Sequence, residues 1–211
     1  MIHQQRKSSS EGISSAMSLI KNILYTIFAR DEHVCPWWAC YLFDNPVRKL
    51  FHDPYKMLSP YVKQGFTVID IGPGMGYFTI PLLKLVGKEG KVIAVDIQEK
   101  MLAVLKRRAI KAGVDSHLIT HLSKPDDFGL KEKADFIVAF WMLHEVPDKI
   151  RFLKHVKKLM KSTARALFVE PRLHVTKTVF DQTIQMAKQS GFKIEDYPPV
   201  SLSRAILLTH A

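Results

Sequence analysis

Asp70-Ile71-Gly72-Pro73-Gly74-Met75-Gly76 is the densest group of chemically informative residues in this 211-residue chain. Glycines between a strand and a helix let the backbone turn tightly and let a ligand approach main-chain N–H groups. A nucleotide site then requires an acid at the end of the next strand, about twenty residues on, to accept hydrogen bonds from ribose hydroxyls. Asp96 stands at that position. The spacing is Gly-x-Gly-x-Gly, and Tyr77 occupies the place of the third glycine in a dinucleotide fingerprint. Asp70, two residues before Gly72, would repel a pyrophosphate but suits a cationic amino group. The ligand described by these residues carries a ribose, an adenine and an amino-acid tail, which is S-adenosylmethionine rather than NAD.

Such a donor reacts by in-line displacement at a sulfonium carbon. Positioning and exclusion of water do much of the work. A general base is needed only where the acceptor has a proton to lose. His144 follows the fourth expected strand and is a candidate base, with Glu145 to orient it. The alternative is that both are cap and surface residues ahead of a helix starting at Asp148. Glu170 and His174 end the fifth strand and face the same cleft in this reading. No spacing demands a metal on His144, Glu170, His174 and Cys35 or His33, so no metal is assigned. Cys35 and Cys40 make no disulfide framework and match no standard zinc pair, which fits a reducing cytoplasm. Trp37 and Trp38 either stack on an acceptor and surround a sulfonium, or pin an N-terminal helix to the sheet.

These residues need a scaffold, and the chain supplies one from residue 65 onward. Strands are expected at Thr67–Ile71, Lys91–Asp96, His117–Leu122, Ala134–Phe140 and Ala164–Val169, with two more near 192–197 and 204–209. Helical periodicity falls at 77–87, 98–112, 148–161 and 176–190, with Pro81 in the first turn of its helix. Met101, Leu105, Ala109 and Ala112 form one apolar face, and Ile150, Leu153, Val156 and Met160 another. Strands alternating with helices of this length give βαβ units and a parallel sheet. The last two strands are joined by too short a link for a crossover, so they pair antiparallel. Residues 1–12 read as a flexible polar tail. Residues 13–64 read as a helical lid or appendage, with Ile13, Met17, Ile20, Leu24 and Ile27 on one face of its first helix. Residues 65–211 form the nucleotide-binding domain.

Three segments together resemble the class I S-adenosylmethionine-dependent methyltransferases. They are Val68–Pro81 (VIDIGPGMGYFTIP), Val92–Leu102 (VIAVDIQEKML) and Ala134–Asp148 (ADFIVAFWMLHEVPD). The similarity is greatest to the branch containing the ubiquinone/menaquinone C-methyltransferases and many small-molecule enzymes, and it covers roughly residues 61–211. It implies an α/β, Rossmann-like, doubly wound sheet of seven mostly parallel strands with the last antiparallel, and S-adenosylhomocysteine as product. It also implies that Asp70, Gly72, Gly74 and Gly76 line the methionine portion. Asp96 would then hold the ribose, Ile97 and Met101 would lie beside the adenine, and Phe140 would flank the cofactor. The family's Gly-Asp-Ala after the third strand is replaced here by His121-Leu122-Ser123. The adenine contact therefore passes to Leu122 and Ser123, or to Asp126 or Asp127 if that loop folds inward.

The charge is uneven: 31 Lys and Arg against 20 Asp and Glu leave +11. This balance fits nucleic acid, an anionic surface or an acidic ligand. Base-methylating enzymes place Asn/Asp-Pro-Pro-aromatic after the fourth strand, where this chain has Phe140-Trp141-Met142-Leu143. The clusters Lys106-Arg107-Arg108-Lys111 and Lys154-Lys157-Lys158-Lys161 fall on polar helix faces and read as solvated. A small-molecule acceptor is therefore expected, and nucleic acid is not. The alternatives are an RNA-modifying methyltransferase and a non-catalytic cofactor-binding protein of the same fold. No transmembrane segment or secretory signal is read, so a cytoplasmic setting is expected. Self-association through the N-terminal helix, or its contact with a membrane surface, is a further expectation.

Overall fold

The computed structural model describes residues 48–125 and 127–211. The tail, the 13–29 helix, His33, Cys35, Trp37, Trp38, Cys40 and Asp126 lie outside the described residues. Two short helices come first, α1 (Arg48–Phe51) and α2 (Pro54–Leu58). They are followed by β1 (Thr67–Ile71), α3 (Thr79–Val86), β2 (Lys91–Asp96), α4 (Glu99–Lys111), β3 (Leu118–Leu122) and β4 (Ala134–Phe140). The chain continues through α5 (Lys149–Leu159), β5 (Met160–Pro171), α6 (Lys177–Gln189), β6 (Phe192–Asp196) and β7 (Ser203–His210). One seven-stranded sheet results, in the order β3-β2-β1-β4-β5-β7-β6. Strands β1 to β5 pair in parallel, and β7 runs antiparallel to both β5 and β6. The expected fold class is the one observed.

The chain leaves β1 toward β2 on one side and returns at β4 on the other. That reversal opens a crevice beyond the carboxyl ends of β1 and β4, where open α/β sheets bind ligands. The near-continuous apolar strands follow from covering both faces. Successive side chains alternate between faces. Ile69, Ile71, Ile93, Val95, Ile137 and Ala139 pack against α5 and α6. Val68, Val92, Phe136 and Val138 pack with Leu58, Leu82, Leu83 and Val86 of α2 and α3. Ala94 meets Leu102 and Leu105 of α4. Leu58 and Val62 are thus integral to the core beneath the sheet.

Helix ends follow local chemistry. Pro81 is the third residue of α3, where its missing N–H has no intrahelical acceptor to serve. The Asp148 carboxylate caps α5 by accepting from Arg151 N at 2.9 Å. Two apolar faces differ from the sequence expectation. Ala112 is the exposed C-terminal cap of α4, and Leu102 takes its place in the core. On α5 the buried residues are Phe152, Leu153, Val156 and Leu159, while Ile150 is 36% exposed. Met160 has already left the helix and pairs with Ala134 as the first residue of β5. The two basic clusters are also less uniform than a solvated face. Arg108 donates to Met75 O, Lys157 to Gly191 O and Lys161 to the Asp135 carboxylate.

The corrected face of α5 is directly testable. Leu153→Ala is expected to cost about 2–5 kcal/mol in urea unfolding, and Ile150→Ala less than about 1 kcal/mol.

Candidate active site

The turn after β1 is built from three left-handed glycines, each needed for a different reason. Gly72, Gly74 and Gly76 have φ of 68°, 54° and 92°. A Cβ on Gly76 would lie 2.3 Å from Leu105 Cδ1, so this glycine lets α4 close on the loop. A Cβ on Gly72 would meet Met142 Cγ at 3.0 Å. Around Gly74 no other described residue, its chain neighbours aside, places an atom within 4 Å of that position. Gly72 N donates to Val95 O at 2.9 Å, and the Arg108 guanidinium donates to Met75 O at 3.2 Å, so β2 and α4 hold the turn in place.

Asp70 and Asp96 end adjacent parallel strands beside this space. Asp70 is 2% exposed, and its Oδ2 accepts from Thr79 Oγ1 at 2.6 Å. Burial pushes its carboxyl up to about 7, against the pull of the Thr79 hydroxyl, and the nearby Asp96 charge adds to the rise. Asp96 is 9% exposed, with Oδ1 accepting from Gln98 N at 2.9 Å. Burial pushes its carboxyl up to about 6, and the N–H groups of Gln98 and Ile97 oppose the shift. Among the described residues no cationic side chain pairs with either acid. Two buried carboxylates without a counter-charge, beside an unfilled glycine turn, fit a ligand with a cationic amino group and ribose hydroxyls.

The other sequence-predicted residues are placed as follows. Ile97 is exposed next to Asp96, and Met101 is buried in the first turn of α4. Leu122 pairs through its backbone with Asp96, and its side chain is 54% exposed. Ser123 N donates to Asp96 O at 2.9 Å, so this segment borders the acid. Asp127 turns back into its own loop, where its carboxylate accepts from Gly129 N at 3.0 Å. Phe140 ends β4 with its ring centroid 4.2 Å from that of Phe78.

His144 sits in a 3-10 turn, Leu143–Glu145, just past β4. Its Nδ1 is 2.9 Å from Glu170 Oε2, and Glu170 Oε1 accepts from Leu143 N at 3.0 Å. The carboxylate bonded to His144 is therefore that of Glu170, not Glu145. The cause is topological: β4 and β5 are parallel neighbours, so their carboxyl ends meet, whereas Glu145 is only the next residue along the turn. Burial works to lower the His144 pKa, but the hydrogen bond and charge of Glu170, helped by Glu145, hold it above the ordinary imidazole value. The His174 ring stacks on His144 at 6.1 Å and 9°. Burial, reinforced by the charge of His144, lowers the His174 pKa. Among the described residues no three His, Cys, Asp or Glu side chains form a metal-holding group.

Several residues that the sequence did not single out pack around Phe140 and Trp141 at the end of β4. The Arg48 guanidinium carbon lies 4.4 Å from the Tyr77 ring centroid and 5.2 Å from that of Trp141. His52 is buried, its Nε2 2.7 Å from Ser201 O and its ring edge-on to Phe140 and Trp141. The Tyr77 hydroxyl donates to His52 O at 2.7 Å. Trp141 adopts φ 58°, and its indole N–H donates to Ser203 Oγ. The only sequence signal for this cage is a pair of adjacent aromatics after each of two strands, Tyr77-Phe78 and Phe140-Trp141.

A family model described as a methyltransferase domain matches residues 62–198. The chain belongs to the class I S-adenosylmethionine-dependent methyltransferase family. Its similarity to the ribosomal protein L11 methyltransferase of Dictyoglomus turgidum is 31% identity over 140 residues, covering 66% of this chain and 42% of that protein. Against the ubiquinone/menaquinone biosynthesis C-methyltransferase of a Marinomonas species it is 31% over 130 residues, covering 57% and 50%. The chain thus matches half or less of the length of these relatives. A methyltransferase structure from Aquifex aeolicus superposes with a TM-score of 0.75 at 23% identity, covering 83% of this chain and 99% of that one. A glycopeptide N-methyltransferase complexed with sinefungin gives 0.61 at 15% identity, covering 76% and 86%, and shares the fold. Among the described residues no helix of this methyltransferase is long and apolar enough to cross a membrane.

Two measurements check the electrostatics of the site. An acid whose folded pKa is raised lends stability below its unfolded pKa and loses it as pH rises through the folded value. The melting temperature of Asp70→Asn relative to wild type is therefore expected to climb between pH 4 and about 7. A pH-independent difference would contradict the assignment. Glu170→Gln is expected to drop the His144 pKa, read by NMR of its imidazole carbons, because burial is then less strongly opposed.

Proposed function

We propose that this methyltransferase transfers the methyl group of S-adenosylmethionine to a small-molecule acceptor held beyond the carboxyl ends of β4 and β5. The observation that carries the reading is the pair of buried acids, Asp70 and Asp96, with no cationic partner among the described residues beside the open glycine turn. In this reading Asp70 and the Gly72–Gly76 turn hold the amino-acid portion, and Asp96 takes the ribose hydroxyls. Ile97, Met101, Leu122, Ser123 and Phe140 border the rest of the cofactor. A bound cofactor supplies a methyl group on a sulfonium, an already good leaving group. The chain's own work is to orient the acceptor and exclude water. Phe78, Phe140 and Trp141 give the crevice an apolar wall suited to both.

His144 is the residue assigned to proton removal from the acceptor. A carboxylate on Nδ1 favours the tautomer with its proton there, leaving Nε2 as the acceptor atom. Glu170 stabilises the imidazolium that forms, and Glu145 adds to the local negative field. The likeness to the ubiquinone/menaquinone enzymes supports a small acceptor. The likeness to the ribosomal protein L11 methyltransferase supports a second reading, a protein acceptor.

Titration calorimetry with S-adenosylhomocysteine is the direct test. One-to-one binding is expected, weakened by about tenfold or more in Asp96→Ala, where a buried hydrogen-bonding carboxylate is lost. No binding, or binding indifferent to Asp96, overturns the proposal. Incubation of cell extract with methyl-labelled cofactor then separates the acceptors: label in the small-molecule fraction supports the first reading, and label on protein the second.

A further inference from the structure

A basic groove lies away from the glycine turn. An open groove of about 590 Å³ runs along α5 to the start of β6 and the end of β7. Arg151, Lys154, Lys157 and Lys158 line it, with Ser190 and His210 at its far end. Ser190 is only 7% exposed, and its hydroxyl has no hydrogen-bond partner among the described residues. The His210 Nε2 is likewise buried without a partner among them. Buried polar atoms in a folded protein nearly always find one, so two together in a groove mark a place for a ligand's acceptor atoms.

The charge points the same way. Arg151, Lys154 and Lys158 recur at helical spacing on one face of α5, and like charges three and four residues apart repel. Asp148 also lines the groove, but it is engaged as the helix cap. Asp127 lies near Arg151 and His155 from the adjoining loop, with its carboxylate already accepting from Gly129 N. Lys157 is partly spent on Gly191 O, which fixes the floor of the groove beside Ser190. The net field is positive. The donors outnumber the two oxygens of a carboxylate, and they match the three terminal oxygens and double charge of a phosphate monoester. Ile150 and the lysine stems give an apolar wall for an organic portion. The volume is that of a small-molecule site rather than a bare ion.

We propose that this groove binds a small organic phosphate, with its phosphate head on Ser190, His210 and the Lys154–Lys158 pair. The site is separate from the methyl-transfer crevice. Phe192 pairs with His210 at the β6 edge of the sheet, whereas Asp70 and Asp96 lie on β1 and β2, on the other side of β4, β5 and β7. It does not depend on the functional reading given above.

The test is titration of the full chain with phenyl phosphate at constant ionic strength, followed by amide NMR, with S-adenosylhomocysteine binding as the control. Saturable shifts at Ser190, Gly191, Lys154 and Lys158 are expected. Lys154→Glu with Lys158→Glu should weaken phenyl phosphate about tenfold or more. Ser190→Ala should weaken it several-fold without lowering the melting temperature, since the hydroxyl it removes has no partner. S-adenosylhomocysteine affinity should be unchanged in all variants. Absent or non-saturable shifts, or variants that bind like wild type, overturn the site. A short RNA without terminal phosphates that shifts the same amides while phenyl phosphate does not also overturns it, in favour of a polymer surface.

Discussion

A carboxylate buried without a counter-charge is among the least favourable arrangements a fold can hold. Here Asp70 and Asp96 are two such acids, with no cationic partner among the described residues. Asp70 and Asp96 sit toward the ends of neighbouring strands, and the Asp96 charge adds to the cost of ionising Asp70. The rest of the site can be understood as what makes that arrangement tolerable and useful. The Thr79 hydroxyl and the Gln98 N–H supply one hydrogen bond to each acid. The glycine turn, held by Val95 O and Arg108, keeps the space beside them open. The two apolar layers on either face of the sheet keep the surroundings dry, which is why burial dominates the shift of both acids.

The legible part of the site was local. Asp70, the glycines and Asp96 fall at fixed intervals along a single strand–turn–helix–strand unit, so sequence spacing translates directly into geometry. The sheet was legible for the same reason, since runs such as Ile137-Val138-Ala139 must be covered on both faces. What escaped was anything decided between elements distant in the chain. The place of His144 just past β4 is legible locally, but its partner Glu170 is twenty-six positions away and reaches it only because β4 and β5 are neighbours. Arg48 and His52 were hidden in a proline-broken stretch whose packing is set by Tyr77, Phe140 and Trp141. On α5, periodicity alone could not show that the chain turns from helix to strand between Leu159 and Met160 without a loop. That abrupt change moved Met160 from the helix face to the sheet.

The +11 charge illustrates how a bulk property dissolves into particular bonds. Arg108 braces the glycine turn, Lys161 meets the Asp135 carboxylate, which also accepts from Thr67 N, and Lys157 holds the Gly191 carbonyl. The remaining cations of α5 gather beside buried polar atoms rather than spreading over a uniform surface. Charge counted over a whole chain therefore says little until each cation is assigned a partner or an empty place.

The position of β7 bears on how the molecule comes to be assembled. It follows β6 in the chain but lies between β5 and β6 in the sheet. Among the described residues β6 pairs with β7 alone, so it joins the sheet only through β7. The two must therefore reach the growing sheet as a preformed hairpin, or β7 must dock first and recruit β6 backward. In either order β6 enters the sheet only with β7, so the His210 end of the basic groove exists only once β7 is in place.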